Sequence, residues 1–287
     1  MEAIKHELET KGYAIIPNVL STEEIEIAKK MMYDWQKKIP NHDSMHKKIS
    51  PHGIYKFHNA GHQRHAWYIR TKPKVQEFFK YLWNTEELIV SYDGSCYISK
   101  DNTQKDNIWT HTDQAANSSG FKCYQSFVAL TDNCERTLRV YEGSHKLHQR
   151  YFKDRHITGT KNWNLIDKKY LEELEDSKRV LDVKAGSLVL WDSRVFHQNQ
   201  YGKPSSEERL VQYICYFPRS HPKNTESIKK KRRKYFEEHR TTSHWPCPIY
   251  VNSNQPQTYG DTSRLIDYTS LPKPNLDDMM DMIEKLI

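Results

Sequence analysis

Glycine is scarce in this 287-residue sequence, at 10 residues, and no segment is of low complexity. Collagen-like and repetitive architectures are therefore excluded. No apolar run approaches the length of a membrane span, and the opening MEAIKHELETKGYAII has no apolar core of signal-peptide length. A soluble protein in the cytoplasm or another intracellular compartment is expected. The five cysteines, Cys96, Cys123, Cys134, Cys215 and Cys247, form an odd set without a C-x-x-C. That pattern argues against a disulfide framework or a thiolate zinc site and for free thiols in a reducing compartment. No repeat and no linker composition divides the chain, so one domain over residues 1–287 is expected.

What the sequence does hold is aromatic: 7 Trp, 18 Tyr and 9 Phe, against a mean hydropathy of −0.91. These residues supply core and pocket material that disordered chains lack. The net charge of +7 and pI near 8.9 fit an anionic ligand, a nucleic acid or simple solubility, and discriminate weakly among them.

Periodicity divides the chain. Ile4 and Leu8 give residues 1–11 helical spacing, and GYAIIPNVL (12–20) reads as a short strand ending in a turn. The next segment, 21–38, carries a capping signature, with Ser21 or Thr22 as N-cap and Glu24 near the third position. Its inner face would hold Ile25, Ala28, Met32 and Trp35. A polar, His-rich loop is expected over 40–63 and a helix over 73–84, with Pro73 in its first turn. The centre then changes period. Residues 88–99, 121–131, 137–143, 184–197 and 209–218 alternate as strands do, with a crossover helix expected at 163–178. Short strands bounded by Gly, Asn and Asp indicate a mainly β fold with flanking α-helices. Its core, over about 88–218, would be a two-sheet jelly roll. Further helices are expected at 225–238 and 276–286.

In WTHTDQ (109–114), His111 and Asp113 lie two positions apart and share one side of an extended chain. Chance alone could supply such a pair among 15 His. Two features change this. His197 ends the strand-and-loop segment AGSLVLWDSRVFH, and Arg209 opens the next alternating strand. Two imidazoles and a carboxylate form the facial triad of non-haem Fe(II) oxygenases, which leaves positions for a bidentate cosubstrate and dioxygen. An arginine suits the distal carboxylate of a dicarboxylic cosubstrate, because its fork pairs bidentately and keeps its charge.

The order HTD (111–113), VFH (195–197) and Arg209 resembles the Fe(II)/2-oxoglutarate-dependent dioxygenases, and more narrowly the phytanoyl-CoA dioxygenase family. Supporting stretches are GYAIIPNVLSTEEI (12–25), W-x-x-R (67–70), LIVSYDG (88–94), EGSHK (142–146), KAGSLVLW (184–191) and RTTSHWP (240–246). The chain departs from the family pattern at Glu142, where Pro is usual, at Ser187, where Asp is frequent, and at NCERTL (133–138), which replaces a Gly-rich turn. The resemblance implies a double-stranded β-helix holding iron through His111, Asp113 and His197, with Arg209 on 2-oxoglutarate. It implies hydroxylation of a C–H bond by dioxygen, coupled to oxidation of 2-oxoglutarate to succinate and CO2. Related halogenases vacate the carboxylate position, so Asp113 favours hydroxylation. A small metabolite or an acyl or lipid-type molecule is the expected substrate.

Gln125 is expected to touch the cosubstrate or to orient Asp113. Arg70, Trp109 and Gln114 are candidates for the substrate pocket, whereas His65 and His145 read as structural. The run KKKRRK (229–234) leads into YFEEH, as in a solvated helix. Nucleic acid is not the expected partner, since Cys215 stands where the nucleic-acid-repair dioxygenases carry a second arginine. The rival to an oxygenase is an inactive jelly-roll protein that docks nucleic acid or a protein through this basic segment.

Overall fold

The computed structural model describes residues 1–287. Helix α1 (Glu2–Thr10) and strand β1 (Tyr13–Ile16) lead into helix α2 (Thr22–Gln36). Ser21 caps α2. Its Oγ accepts from the Glu24 N–H at 3.2 Å, and the Glu24 carboxylate accepts from the Ser21 N–H at 2.9 Å. Two otherwise unpaired donors are thus satisfied reciprocally. Ile25, Ala28, Met32 and Trp35 make the buried stripe that their spacing requires.

Helices α3 (His42–Ile49), α4 (Arg64–Arg70) and α5 (Pro73–Trp83) complete the amino-terminal flank. Helix α3 lies where a loop was expected. Its buried side is made by His46 and Ile49, and an imidazole on the inner face conceals the stripe from a reading by apolar residues alone.

Eleven further strands follow: β2 (Leu88–Val90), β3 (Ser95–Ile98), β4 (His111–Thr112), β5 (Tyr124–Ala129), β6 (Leu138–Tyr141), β7 (Asn164–Leu165), β8 (Lys178–Val180), β9 (Leu188–Asp192), β10 (His197–Asn199), β11 (Arg209–Ile214) and β12 (Tyr216–Pro218). They form two five-stranded sheets, ordered β1-β9-β5-β11-β3 and β7-β4-β10-β6-β8, and a ribbon β12-β2. Every pairing is antiparallel.

Side chains alternate across a strand, and the first sheet is covered on both faces. Val189, Trp191, Phe127, Ala129 and Val211 pack with Leu138 and Val140 of the second sheet. Leu188, Leu190, Val128, Leu210 and Ile214 pack instead with Met32, Trp35, Trp67 and Phe79 of the helices. Burial on both faces explains why LVLW reads as a continuous apolar run.

Two expected strands are each split. Residues 88–99 become β2 and β3, and 209–218 become β11 and β12. The breaks are stitched together, with the Ser91 N–H donating to the Cys215 carbonyl and the Cys215 N–H donating to Ser91 Oγ. At Gly94, beside the break, a Cβ would collide with the Tyr55 carbonyl, so only glycine fits. The expected crossover helix is also shorter. Asn164 and Leu165 pair with β4 as β7, and α7 (Lys168–Glu173) begins only after Asp167 caps the Tyr170 N–H. Helix α6 (His148–Asp154) was not anticipated.

The basic run lies on helix α8 (Glu226–Glu237), close to the expected range, whereas the last expected helix shrinks to a 3-10 turn and α9 (Met280–Ile283). Arg232 is buried and donates to the carbonyls of Pro246 (2.8 Å), Val90 (3.0 Å) and Leu286 (2.8 Å). Arg233 grips both oxygens of Glu284 at 2.7 and 2.6 Å. Two of the six cations in this run therefore hold the carboxy-terminal segment, and Arg232 ties it to β2. Replacing Arg232 with Met should lower the unfolding free energy by about 3 kcal/mol, because three buried carbonyls lose a charged donor. Urea denaturation would show this, and a change below about 0.5 kcal/mol, as at an ordinary surface position, would contradict it.

Candidate active site

The second sheet brings His111 and His197 together, since β4 and β10 pair with these two residues directly opposite. Their ring centroids are 4.4 Å apart and each residue is 5% exposed. Asp113 follows on the same side of the chain, its backbone fixed by an N–H bond to the Ser193 carbonyl at 3.0 Å. Asp113 Oδ2 lies 3.2 Å from His197 Nε2 and 3.5 Å from His111 Nε2. One donor atom from each of the three falls within 4.8 Å of the others.

The opposite edges of the imidazoles set their tautomers. His111 Nδ1 faces the Trp109 carbonyl at 3.2 Å, and His197 Nδ1 faces the Val195 carbonyl at 2.9 Å. A carbonyl can only accept, so each Nδ1 carries the hydrogen and each Nε2 presents a lone pair. Burial drives His111 towards its neutral form, against the pull of Asp113. Two lone pairs and a carboxylate therefore converge in a nearly dry site. Such a set is unfavourable alone and fits a divalent cation.

Aromatic stacking fixes the rings. Trp109 lies between His52 and His111, with centroid distances of 3.7 and 4.9 Å, and donates its indole N–H to the Asn199 carbonyl at 3.0 Å. Trp191 packs against His197 at 5.4 Å. Gln125, on the inward side of β5, donates to Asp113 Oδ2 at 3.1 Å. Truncating Gln125 to Ala should weaken metal affinity about 10- to 100-fold by releasing this carboxylate. Calorimetric titration would measure it, and an unchanged affinity would show that the bond does not orient Asp113.

The triad opens into a cavity of about 240 Å³, walled by Trp109, Gln125, Trp163, Trp191, Asn199 and Tyr213 among others. Arg209 lies just behind that wall. It is 0% exposed and donates to Asn199 Oδ1 at 3.2 Å and to the Arg136 carbonyl at 2.9 Å. Its Nε has no acceptor, and no carboxylate pairs with it.

Two expected pocket residues lie elsewhere. Arg70 is buried beneath the sheet, where its terminal nitrogens bind the Gly61 and Asp93 carbonyls. Its W-x-x-R setting places it on the inner face of α4, against Trp67, and it does not reach the cavity. Gln114 points away from the triad, as alternation from Asp113 demands. It braces the loop before β10 by accepting from Ser193 Oγ and donating to the Ser118 and Gly120 carbonyls. His65 and His145 bond Ser95 Oγ and the Glu9 carbonyl, away from the triad.

Several wall residues escaped the sequence reading. Asp93, Thr242, Ser243, His244 and Asn252 all line the cavity. Thr242 is held by mutual bonds with Tyr92, which lays the segment 242–244 along the cavity. Nothing local in RTTSHWP signals this, because the placement depends on a contact 150 residues away in sequence.

Two opposed antiparallel sheets with two histidines and a carboxylate gathered on one strand pair define a site of the mononuclear facial-triad type. The chain belongs to the phytanoyl-CoA dioxygenase family, whose description matches residues 8–200. That match includes His111, Asp113, Gln125 and His197 and stops before Arg209. A curated relative, the Ava biosynthesis cluster protein O of Aspergillus versicolor, is 25% identical over 268 residues, covering 84% of this chain and 85% of its own. The product of GlcNAc Inducible Gene 2 from Candida albicans shares the fold with a TM-score of 0.66 at 16% identity, over 99% of this chain and 76% of its own. HygX of Streptomyces hygroscopicus, solved with nickel and 2-oxoglutarate bound, has a TM-score of 0.52 at 14% identity, over 76% of this chain and 87% of its own.

Proposed function

We propose that this chain is a single-domain Fe(II)- and 2-oxoglutarate-dependent dioxygenase on a jelly-roll core, which hydroxylates a C–H bond of a small metabolite or acyl-type substrate. The observation that carries the reading is the convergence of His111, Asp113 and His197 as three electron-pair donors in one buried corner. These residues would hold the iron. When bound, it supplies the activation of dioxygen that no side chain can perform.

The protein's own residues do the rest. The Trp109 and Trp191 faces keep the imidazoles from turning, and Gln125 keeps the carboxylate aimed inward. Arg209 supplies a guanidinium without a carboxylate partner, just behind the wall formed by Asn199 and Tyr213, where a distal carboxylate of 2-oxoglutarate would complete its hydrogen bonding. The aromatic lining excludes water from the reacting centre and orients one C–H bond. The rival docking role loses much of its motive, since Arg232 and Arg233 of the basic run are committed to internal contacts.

The test is succinate formation. Protein supplied with Fe(II), ascorbate, oxygen and 2-oxoglutarate should release succinate slowly without a prime substrate, and faster when a metabolite pool contains it. No succinate above the metal-free control in either condition would overturn the reading.

A further inference from the structure

One wall residue has no part in the chemistry above. Asp93 lines the cavity, is 6% exposed, and its Oδ1 is buried without any hydrogen-bond partner. No cation pairs with it: the guanidinium of Arg70, though close, binds the Gly61 carbonyl and the backbone carbonyl of Asp93. A buried carboxylate without a paired cation is costly, and the place of Asp93 in the cavity wall points to a donor that arrives from outside. Burial pushes this carboxyl up to about 7, against the pull of Arg70 and of the Ser91 hydroxyl.

The other walls indicate which kind of donor. Tyr55, Trp163, Trp191 and Tyr213 line the same cavity. Aromatic faces carry negative potential and attract cations, most strongly where water is excluded. A neutral hydroxyl would satisfy Asp93 but gain little from these rings, whereas a protonated amine gains from both.

We infer that the substrate carries a protonated amine, bound by Asp93 and flanked by the aromatic walls of the cavity. This rests on the cavity's being the substrate site of the proposed oxygenase, and it narrows the substrate to cationic small molecules. Asp93 would act as a specificity residue, placing the ammonium group while the C–H bond to be oxidised faces the triad.

The test compares benzylamine, phenethylamine and tryptamine with their uncharged alcohol counterparts, benzyl alcohol, 2-phenylethanol and tryptophol. Binding is measured by calorimetry on anaerobic protein loaded with Fe(II) and 2-oxoglutarate. At least one ammonium probe should bind ten-fold or more tightly than its alcohol, and D93N should abolish that preference. The Fe(II)–2-oxoglutarate charge-transfer band and the melting temperature of D93N should match wild type, which shows that the fold and cosubstrate site are intact. The inference is overturned if no ammonium probe binds better than its alcohol, or if the preference survives in D93N. Loss of the charge-transfer band in wild-type protein would instead overturn the oxygenase reading, so the two failures are distinguishable.

Discussion

His111→Ala is expected to reduce 2-oxoglutarate turnover at least about 1,000-fold and to weaken Fe(II) binding by more than the 10- to 100-fold typical of losing a supporting residue. Because His111 and His197 face each other directly across β4 and β10, each supplies one lone pair to a common point. Removing one imidazole leaves His197 and Asp113, and two ligands hold a hard-to-retain divalent ion far less firmly than three. Alanine at this position also leaves a gap beside Trp109, so the stacked His52–Trp109 pair loses its third ring. The fold should survive, since the strand pairing is made by backbone, and circular dichroism would confirm it. Metal binding by folded His111→Ala protein at wild-type strength would remove His111 from the ligand set.

Arg209→Met is expected to raise the KM for 2-oxoglutarate about 100-fold while leaving Fe(II) affinity close to wild type. A hydrogen-bonded charge pair that loses one member in a buried setting typically gives up about 2–4 kcal/mol, and 1.4 kcal/mol is ten-fold. Methionine keeps much of the stem's bulk against Phe127, over which the guanidinium now sits at 5.1 Å. The loss should therefore report charge and not packing. Arg209→Lys should recover only part of the affinity, because an ammonium lacks the fork that meets a carboxylate with two parallel bonds. Steady-state kinetics at varied 2-oxoglutarate, set beside metal titration, separate the two sites. A Met variant with unchanged KM would mean that Arg209 is a structural arginine like Arg136, which binds the Ser99 and Asn102 carbonyls.

The parts of the site legible in the sequence are those fixed by local geometry. His111 and Asp113 share a face because strands alternate, and the same rule sends Gln114 the other way. Gln125 was open between the cosubstrate and Asp113, and the structure places its amide on Asp113. What escaped depends on long-range packing. Asp93 lies in a strand break that a period-2 pattern does not mark, and Thr242 to His244 reach the cavity through the pairing of Thr242 with Tyr92. Arg70 was misplaced for the converse reason: a cation on a helix with Trp67 can turn inward when backbone carbonyls receive it. In the fold, the alternating segments located the strands, while the splits at 91–94 and Cys215, joined by Ser91–Cys215 hydrogen bonds, interrupt a pattern that alternation alone continues.

The most direct test of the central claim is an anaerobic absorption spectrum. Fe(II) and 2-oxoglutarate added together to the metal-free protein should produce a metal-to-ligand charge-transfer band that neither gives alone and that His111→Ala lacks. A wild-type spectrum equal to the sum of its components would contradict the account.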